Sequence, residues 1–510
     1  MINPIKIQTQ LNTSNITFGK NNNHENVRTS IFYINDYHGE TSNMEKTVSA
    51  VNTFDSFEYQ KGSDKLKLAS GDTILGYDSS RNKAVLKFMK AIGLMATALG
   101  NHDCEISYED LTKDEGALPA KILACNADFD SQLNGKIQKS YIQEINGHKY
   151  GIIGTLPSDL VSNVTSGKIF QKFDVKPQEL DGTILSVQRE VDKLKSQGVN
   201  KIILLSHSGY EYDKEIAQKT EGIDAILGGH SHNLLKNVQK GVNLFYSKTG
   251  EPVIITQAGS NGKNFGILNL EFDPEGVIQT VQNNIGETKD FSNNLVAKAL
   301  FEGIIGKPRK VGFVNIPPAA LSNDLTDINT LTEFAVDALR EKAGTQIALV
   351  GAGNIRGTLG KGEIDTAMIS EISPFKNKIV KIEYTEKEIV DAIKLCAKSM
   401  TSPDSKPGLM YASGLRYTIS KDGTLVSMKF IDRSGNEQTI DVNSPSNTKR
   451  YTVAINDYYS RGKDGLEMLN KYDSALEKYD WDINDAIAEK IKKLSAPIEF
   501  KDDGRIKISE

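Results

Sequence analysis

The stretch Thr29–Gly39, TSIFYINDYHG, carries a β-branched and aromatic run that stops at an Asp-Tyr-His triplet. Thr29–Ile34 has the length and composition of a buried strand, and Asp36 and His38 follow it directly. The same arrangement recurs along the chain. Leu66–Ala69 ends at Gly71-Asp72, and Met95–Leu99 ends at Asn101-His102-Asp103. Lys201–Leu205 ends at Ser206-His207, and Ala225–Leu227 ends at His230-Ser231-His232. Only seven histidines serve 510 residues, and five of them lie in these tails, leaving His24 and His148 outside. Imidazole is the commonest metal ligand and the side chain that changes charge near neutral pH, so the clustering points to metal chemistry.

Helical patterns such as Lys83–Ile92 and Ile184–Ser196 alternate with these runs, which predicts an α/β layered fold. Folds of that class place their sites in loops at the carboxyl ends of strands, where every one of the tails falls. Val253–Thr256, Gly266–Phe272 and Val277–Gln282 read as sheet closing a first domain. Lys307-Pro308 and Ile316-Pro317-Pro318 mark a break in organisation. Beyond it, Asn329–Lys342 has Leu331, Phe334, Ala335 and Leu339 at helical spacing, and a second α/β segment begins at Ile347–Val350. The expected organisation is a polar, Asn-rich flexible arm over 1–27, a first domain over 28–325, a linking helix over 326–343 and a second domain over 344–510.

The chain is too long for one core. A net charge of −5 and a pI near 5.9 give no electrostatic footprint for polymeric nucleic acid. No apolar run approaches the roughly 20 residues that span a bilayer, so no membrane partner is expected. Three cysteines, Cys104, Cys125 and Cys396, make no disulfide framework. With no signal-peptide pattern at the N-terminus, the cytoplasm is the expected compartment, or the periplasm or exterior if the sequence is a trimmed form. Oligomeric state is not fixed, and a monomer is compatible with the sequence.

Two divalent ions about 3.5–4 Å apart clamp a phosphoryl group, neutralise its charge and generate hydroxide near neutral pH. Such a pair needs a bridging carboxylate, neutral imidazoles and open positions. Asp36 and His38 suit one ion, Asp72 the bridge, and Asn101, His207 and His230 the other. His232 returns to the first ion, because residues at i and i+2 of an extended segment point to opposite faces. Any one of these tails alone is an ordinary loop; five in order are not.

NDYHG, SGD, GNHD, the SH of LLSHSG, and GGHSH resemble the ordered motifs of the calcineurin-like metallophosphoesterases, in particular the 5′-nucleotidase branch. The resemblance implies a four-layer αββα sandwich followed by a smaller α/β substrate-binding domain, joined by a helix about which the domains rotate. It carries over the seven ligands named above and makes His102 the residue that stabilises the phosphoryl oxygens or protonates the leaving group. Family members commonly show GNHEFD; here the segment is GNHDCE, with Glu105 at the position that orients this histidine. Asn126 matches a motif asparagine of the branch.

GAGNIRG (351–357) invites a dinucleotide-fingerprint reading, but its third glycine falls one residue late. It is more similar to a motif of the 5′-nucleotidase C-terminal domain, as are SPFKN (373–377), ASGLRY (412–417) and INDYYSRGKDG (455–465). By that resemblance Arg356 contacts phosphate or ribose, Asn377 the nucleoside, Tyr458 the base and Asp464 the ribose hydroxyls. Tyr411, just before ASGLRY, is expected as a second stacking aromatic, and Arg416 as structural. Arg461-Gly462-Lys463 stands where the family has Asn-Gly-Gly.

The implied activity is hydrolysis of nucleoside 5′-monophosphates by a dimetal centre of Zn²⁺, Mn²⁺ or Co²⁺, since mixed N/O ligands suit all three. The metal core is equally compatible with a 2′,3′-cyclic nucleotide phosphodiesterase or a UDP-sugar or dinucleotide pyrophosphatase. A non-catalytic nucleotide-binding protein is the competing class; the filled ligand positions and His102 argue against it.

Overall fold

A computed structural model describes residues 16–18, 26–75, 79–104, 120–129, 136–158, 176–319, 324–402 and 407–509. The chain divides into two compact units, Met1–Lys307 and Pro308–Glu510.

In the first unit, an eight-stranded sheet runs in the order Ile16–Thr17, Ile278–Glu287, Asn264–Phe272, Val27–Ile34, Asp64–Ala69, Ala96–Ala98, Lys121–Leu123 and Ile137–Gln138. From Val27–Ile34 onward its strands are parallel. A six-stranded sheet runs in the order Leu244–Tyr246, Pro252–Thr256, Ala225–Gly228, Ile202–Ser206, His148–Thr155 and Ser140–Ile145. The central strands of the second sheet are buried throughout, which is why they read as continuous apolar runs.

Alternation along each strand then builds the layers. Ile31 and Tyr33 pack with Leu66, Leu68, Ile203, Leu205 and Leu227 between the two sheets. Phe32 and Ile34 turn the other way, onto a layer that holds Met44, Val85 and Phe301 from the helices Met44–Lys61, Ser79–Ala91 and Leu295–Ile305. Beyond the second sheet, Ile202 and Leu204 pack on Val187 and Ile216 of the helices Leu180–Ser196 and Tyr210–Lys219. The unit is therefore a four-layer αββα sandwich. His148, outside the histidine clusters, has a structural place: its Nδ1 lies 2.7 Å from Asp64, which also accepts from Asn146 and Tyr150. His24 lies outside the described residues.

Two boundaries differ from expectation. The segment expected as a flexible arm contributes the edge strand Ile16–Thr17, paired with Val281 and Thr280, because Ile16 and Phe18 pack against the inter-sheet core. The unit boundary falls at the Lys307-Pro308 break, ahead of 325, because Lys310–Ile316 is a strand of the second unit paired with Gly362–Asp365 and Ile498–Glu499.

The second unit has three-, five- and four-stranded sheets around one core. The helix Thr330–Ala343, expected as a linker, is capped by the Asn329 side chain, and its Leu331, Ala335, Val336 and Leu339 are buried in that core. Among the described residues, no helix is long and apolar enough to cross a membrane.

Candidate active site

Strand register decides which tails meet. Ile34 pairs with Ala69, and Ala69 with Thr97, so Asp36, Asp72 and Asn101 emerge from one edge of the first sheet. Gly228 pairs with Ser206 in the second sheet, which brings His207 and the His230–His232 turn out together. The chain bends sharply at these points. Asp36, His38, Asp72, His230 and His232 all have positive φ, as does the neighbouring Asn261. Non-glycine residues held there cost energy and gather at functional sites.

The tails converge on the two carboxylates. His38 Nε2 and His207 Nε2 each lie 3.2 Å from Asp72 Oδ2 and 3.9 Å from Asp36 Oδ1. His232 Nε2 lies 3.3 Å from Asp36 Oδ1. Asn101 Oδ1 and His230 Nδ1 are 3.0 Å apart. Ligand atoms of Asp36, His38 and His232 fall within 4.8 Å of one another, as do those of Asp36, Asp72 and His207 and those of His38, Asp72 and His102. The structure thus brings the seven expected ligands and His102 into one cluster. Glu105, expected to orient His102, lies outside the described residues.

Groups behind the ligands aim them. His207 Nδ1 lies 2.6 Å from the Ser70 carbonyl and His38 Nδ1 3.0 Å from Asn261 Oδ1, leaving each Nε2 turned to the carboxylates, as metal-binding imidazoles require. Backbone N–H groups hold the acids: His230 N donates to Asp36 at 3.0 Å and His102 N to Asp72 Oδ1 at 2.8 Å. Asp103 accepts from the backbone of Thr73, Ile74 and Gly100 and so ties the Asp72 and Asn101 loops together. Three glycines allow the close approach. A Cβ on Gly100 would stand 2.2 Å from Asp72 Oδ1, and on Gly71 or Gly229 it would stand 2.6 or 2.9 Å from His207 Nδ1.

The electrostatics ask for a cation. Burial by itself would raise the Asp36 carboxyl, but His232, His207 and His38 hold it down at about 2. Asp72, equally buried, is kept well below the ordinary carboxylate range by His207 and His102. Against its burial, Asp72, Asp36 and the Ser70 carbonyl push His207 up to about 10. His38 is lowered, chiefly by burial, toward the neutral form that ligation needs. His207 Nε2 is nonetheless buried without a hydrogen-bond partner. A fully buried nitrogen so placed calls for a proton or a metal ion, and the mixed N/O donor set fits a divalent ion.

In the second unit, the parallel strands Ile347–Gly351 and Arg450–Asn456 end side by side, and Ile379–Thr385 starts there, with Ile379 opposite Asn456. The segments that follow or precede them hold Arg356, Asn377, Tyr458 and Asp464. Tyr458 OH donates to Asp464 Oδ1 at 2.6 Å, and Asp464 has positive φ. Arg356 Nε donates to the Gly353 carbonyl at 2.8 Å. Gly351 serves packing, since a Cβ there would meet the Tyr459 hydroxyl at 2.1 Å. Tyr411 is a correction. It is fully buried, donates to the Asp327 carbonyl and accepts from Asn329 N, so its ring has no face for a ligand. Asn126 also holds structure, bridging Leu156 and Thr183.

Sequence reasoning passed over two residues here. Asn261, which positions His38, stands in an Asn-Gly pair that reads as a plain turn. Phe375, half-buried inside SPFKN, lies 5.5 Å beneath the Arg356 guanidinium, and nothing in the motif's spacing singles out its ring.

Residues 29–234 match the family of calcineurin-like phosphoesterases, and residues 310–471 match the family described as 5′-nucleotidase, C-terminal domain. The chain thus carries a calcineurin-like phosphoesterase segment followed by a 5′-nucleotidase C-terminal segment. A probable 5′-nucleotidase of Treponema pallidum is 25% identical over 92% of each chain. A trifunctional nucleotide phosphoesterase of Bacillus subtilis is also 25% identical, over 94% of this chain, which spans 35% of that longer relative. In fold, the chain is similar to a 5′-nucleotidase precursor from Thermus thermophilus, with a TM-score of 0.74, 23% identity and coverage of 94% and 99% of the two chains. These likenesses support a metal-dependent phosphoester hydrolase, which accords with the cluster at the strand ends.

Proposed function

We propose that this 5′-nucleotidase relative hydrolyses nucleoside 5′-monophosphates to nucleoside and phosphate. The buried cluster of Asp36, Asp72 and His207, whose Nε2 lies 3.2 Å from Asp72 Oδ2 yet makes no hydrogen bond, carries the reading. Asp36, His38 and His232 would hold one divalent ion, Asn101, His207 and His230 a second, with Asp72 between them. Zn²⁺, Mn²⁺ and Co²⁺ all suit this set. When bound, such ions supply charge neutralisation at the phosphoryl group and a nucleophile at neutral pH. His102, half-buried beside His38 at a ring distance of 5.3 Å, stabilises phosphoryl charge or protonates the leaving oxygen.

The second unit supplies what a nucleoside needs. Arg356 offers a planar fork for phosphate or ribose oxygens, Asp464 accepts from ribose hydroxyls, and Asn377 hydrogen-bonds the nucleoside. Tyr458 and Phe375 take the stacking roles, Phe375 replacing the buried Tyr411. A nucleoside monophosphate carries both chemistries, a phosphate and a nucleoside.

The relative named as a trifunctional nucleotide phosphoesterase keeps a second reading in view, cleavage of cyclic nucleotides or of nucleotide sugars and dinucleotides. One screen separates them. Metal-stripped protein is restored with zinc, manganese or cobalt singly and offered nucleoside monophosphates, a 2′,3′-cyclic nucleotide and a nucleotide sugar. Phosphate release fastest from monophosphates is expected. Nucleotide binding with no hydrolysis under any metal would make the chain a binding protein.

A further inference from the structure

Glu333 lies in the first turn of the helix Thr330–Ala343 and belongs to none of the groups assigned above. It is 3% exposed, and neither of its carboxylate oxygens has a hydrogen-bond partner. Arg505 Nε stands 3.8 Å from Oε1, an ion pair too long for a hydrogen bond; its NH1 reaches the Glu333 backbone carbonyl at 3.4 Å, and its shorter bonds go elsewhere. Two at 2.8 Å reach Asp337, and those at 3.0 and 2.7 Å reach Asp503. Thr330, three residues earlier on the same helix face, holds another buried oxygen without a partner. With the guanidinium making only an ion pair, both oxygens of this buried carboxylate keep hydrogen-bond or ligand sites unfilled. Burial, opposed by Arg505 and reinforced by Asp503, Asp502 and Asp337, pushes its carboxyl up to about 7.

The turn Asp502-Asp503-Gly504 brings the missing ligands. Asp502 and Asp503, both exposed, each place a carboxylate oxygen so that these and Glu333's lie within 4.8 Å of one another. Calcium–oxygen bonds of about 2.3–2.6 Å let a single ion bridge atoms so spaced. We infer that Glu333, Asp502 and Asp503 hold a hard divalent cation of the calcium class, pinning the loop before the last strand, Ile506–Ser509, to this helix. The set is all oxygen, which selects calcium over the softer metals that the first unit's imidazoles suit. Water completes the shell on the exposed side.

The test uses the full chain with its active-site metals loaded and verified by elemental analysis. Equilibrium dialysis against radioactive calcium should find one further ion per chain, and calcium should raise the Tm. Glu333→Gln should abolish the uptake, and Asp502→Asn should weaken it at least about tenfold. Nucleotide hydrolysis and active-site metal content should not change in either variant. Because Asp502 is exposed, its variant decides the matter even if Glu333→Gln fails to fold. The inference is overturned if the loaded wild type takes up no calcium, or if Asp502→Asn binds it as tightly as wild type.

Discussion

The two oxygens of Asp72 have separate duties. Oδ2 faces the Nε2 atoms of His38 and His207 at 3.2 Å each, while Oδ1 accepts from the backbone N–H of His102 at 2.8 Å. Residue 102 therefore orients this carboxylate with its backbone, and in the proposed reaction its imidazole serves the substrate. His102→Ala keeps that N–H. It is expected to retain the wild-type metal content and nucleotide affinity while kcat falls by roughly 10²–10⁴, the worth of a positioned acid. Elemental analysis beside steady-state kinetics checks this. Loss of metal in the variant would assign the imidazole to coordination instead.

At the scale of elements, the site is a property of strand ends and the turns leaving them. The parallel strands were legible in the sequence because, covered on both faces, they must be apolar throughout; the acids and histidines that interrupt them could then be only loop residues. Elements lacking that signature were read poorly. Ile16–Thr17 is too short to show a period, and Lys310–Ile316 is mostly exposed, so a boundary placed by apolar runs alone missed it. Tyr411 failed for the opposite reason. Met410–Ser413 is buried on both faces, and adjacency to a substrate motif does not tell which side of such a strand is open. Gly100 tests the strand-end argument. Its φ is ordinary, yet a Cβ would stand 2.2 Å from Asp72 Oδ1 and 2.3 Å from Asp72 N. Gly100→Ala must push the Asp72 loop away, so metal affinity is expected to drop at least about tenfold, a loss of ~1.4 kcal/mol. The circular dichroism spectrum should be unchanged, because the sheets do not depend on the bridge. Wild-type metal affinity in the variant would show that the loop yields without cost.

For the whole molecule, metal ions recognise phosphate whatever it is attached to, and in the proposed reading selectivity rests on the residues of the second unit. Tyr458 is the discriminating residue in that reading: its hydroxyl donates to Asp464 at 2.6 Å and its ring is half-buried. Base–aromatic stacking is worth about 1–3 kcal/mol, so Tyr458→Ala is expected to raise KM for a nucleoside monophosphate by roughly 5–150-fold. Hydrolysis of a small aryl phosphate, which presents no nucleoside, should keep its wild-type kcat and KM. Tyr458→Phe separates the two contributions. It keeps the ring and loses the hydroxyl that donates to Asp464, so its KM should lie much nearer wild type. If Tyr458→Ala left nucleotide and aryl phosphate kinetics equally untouched, the second unit would not be reading the nucleoside, and a hydrolase of non-nucleotide phosphates would be the better description. A nucleotide-only defect ties the chemistry of the first unit to recognition by the second.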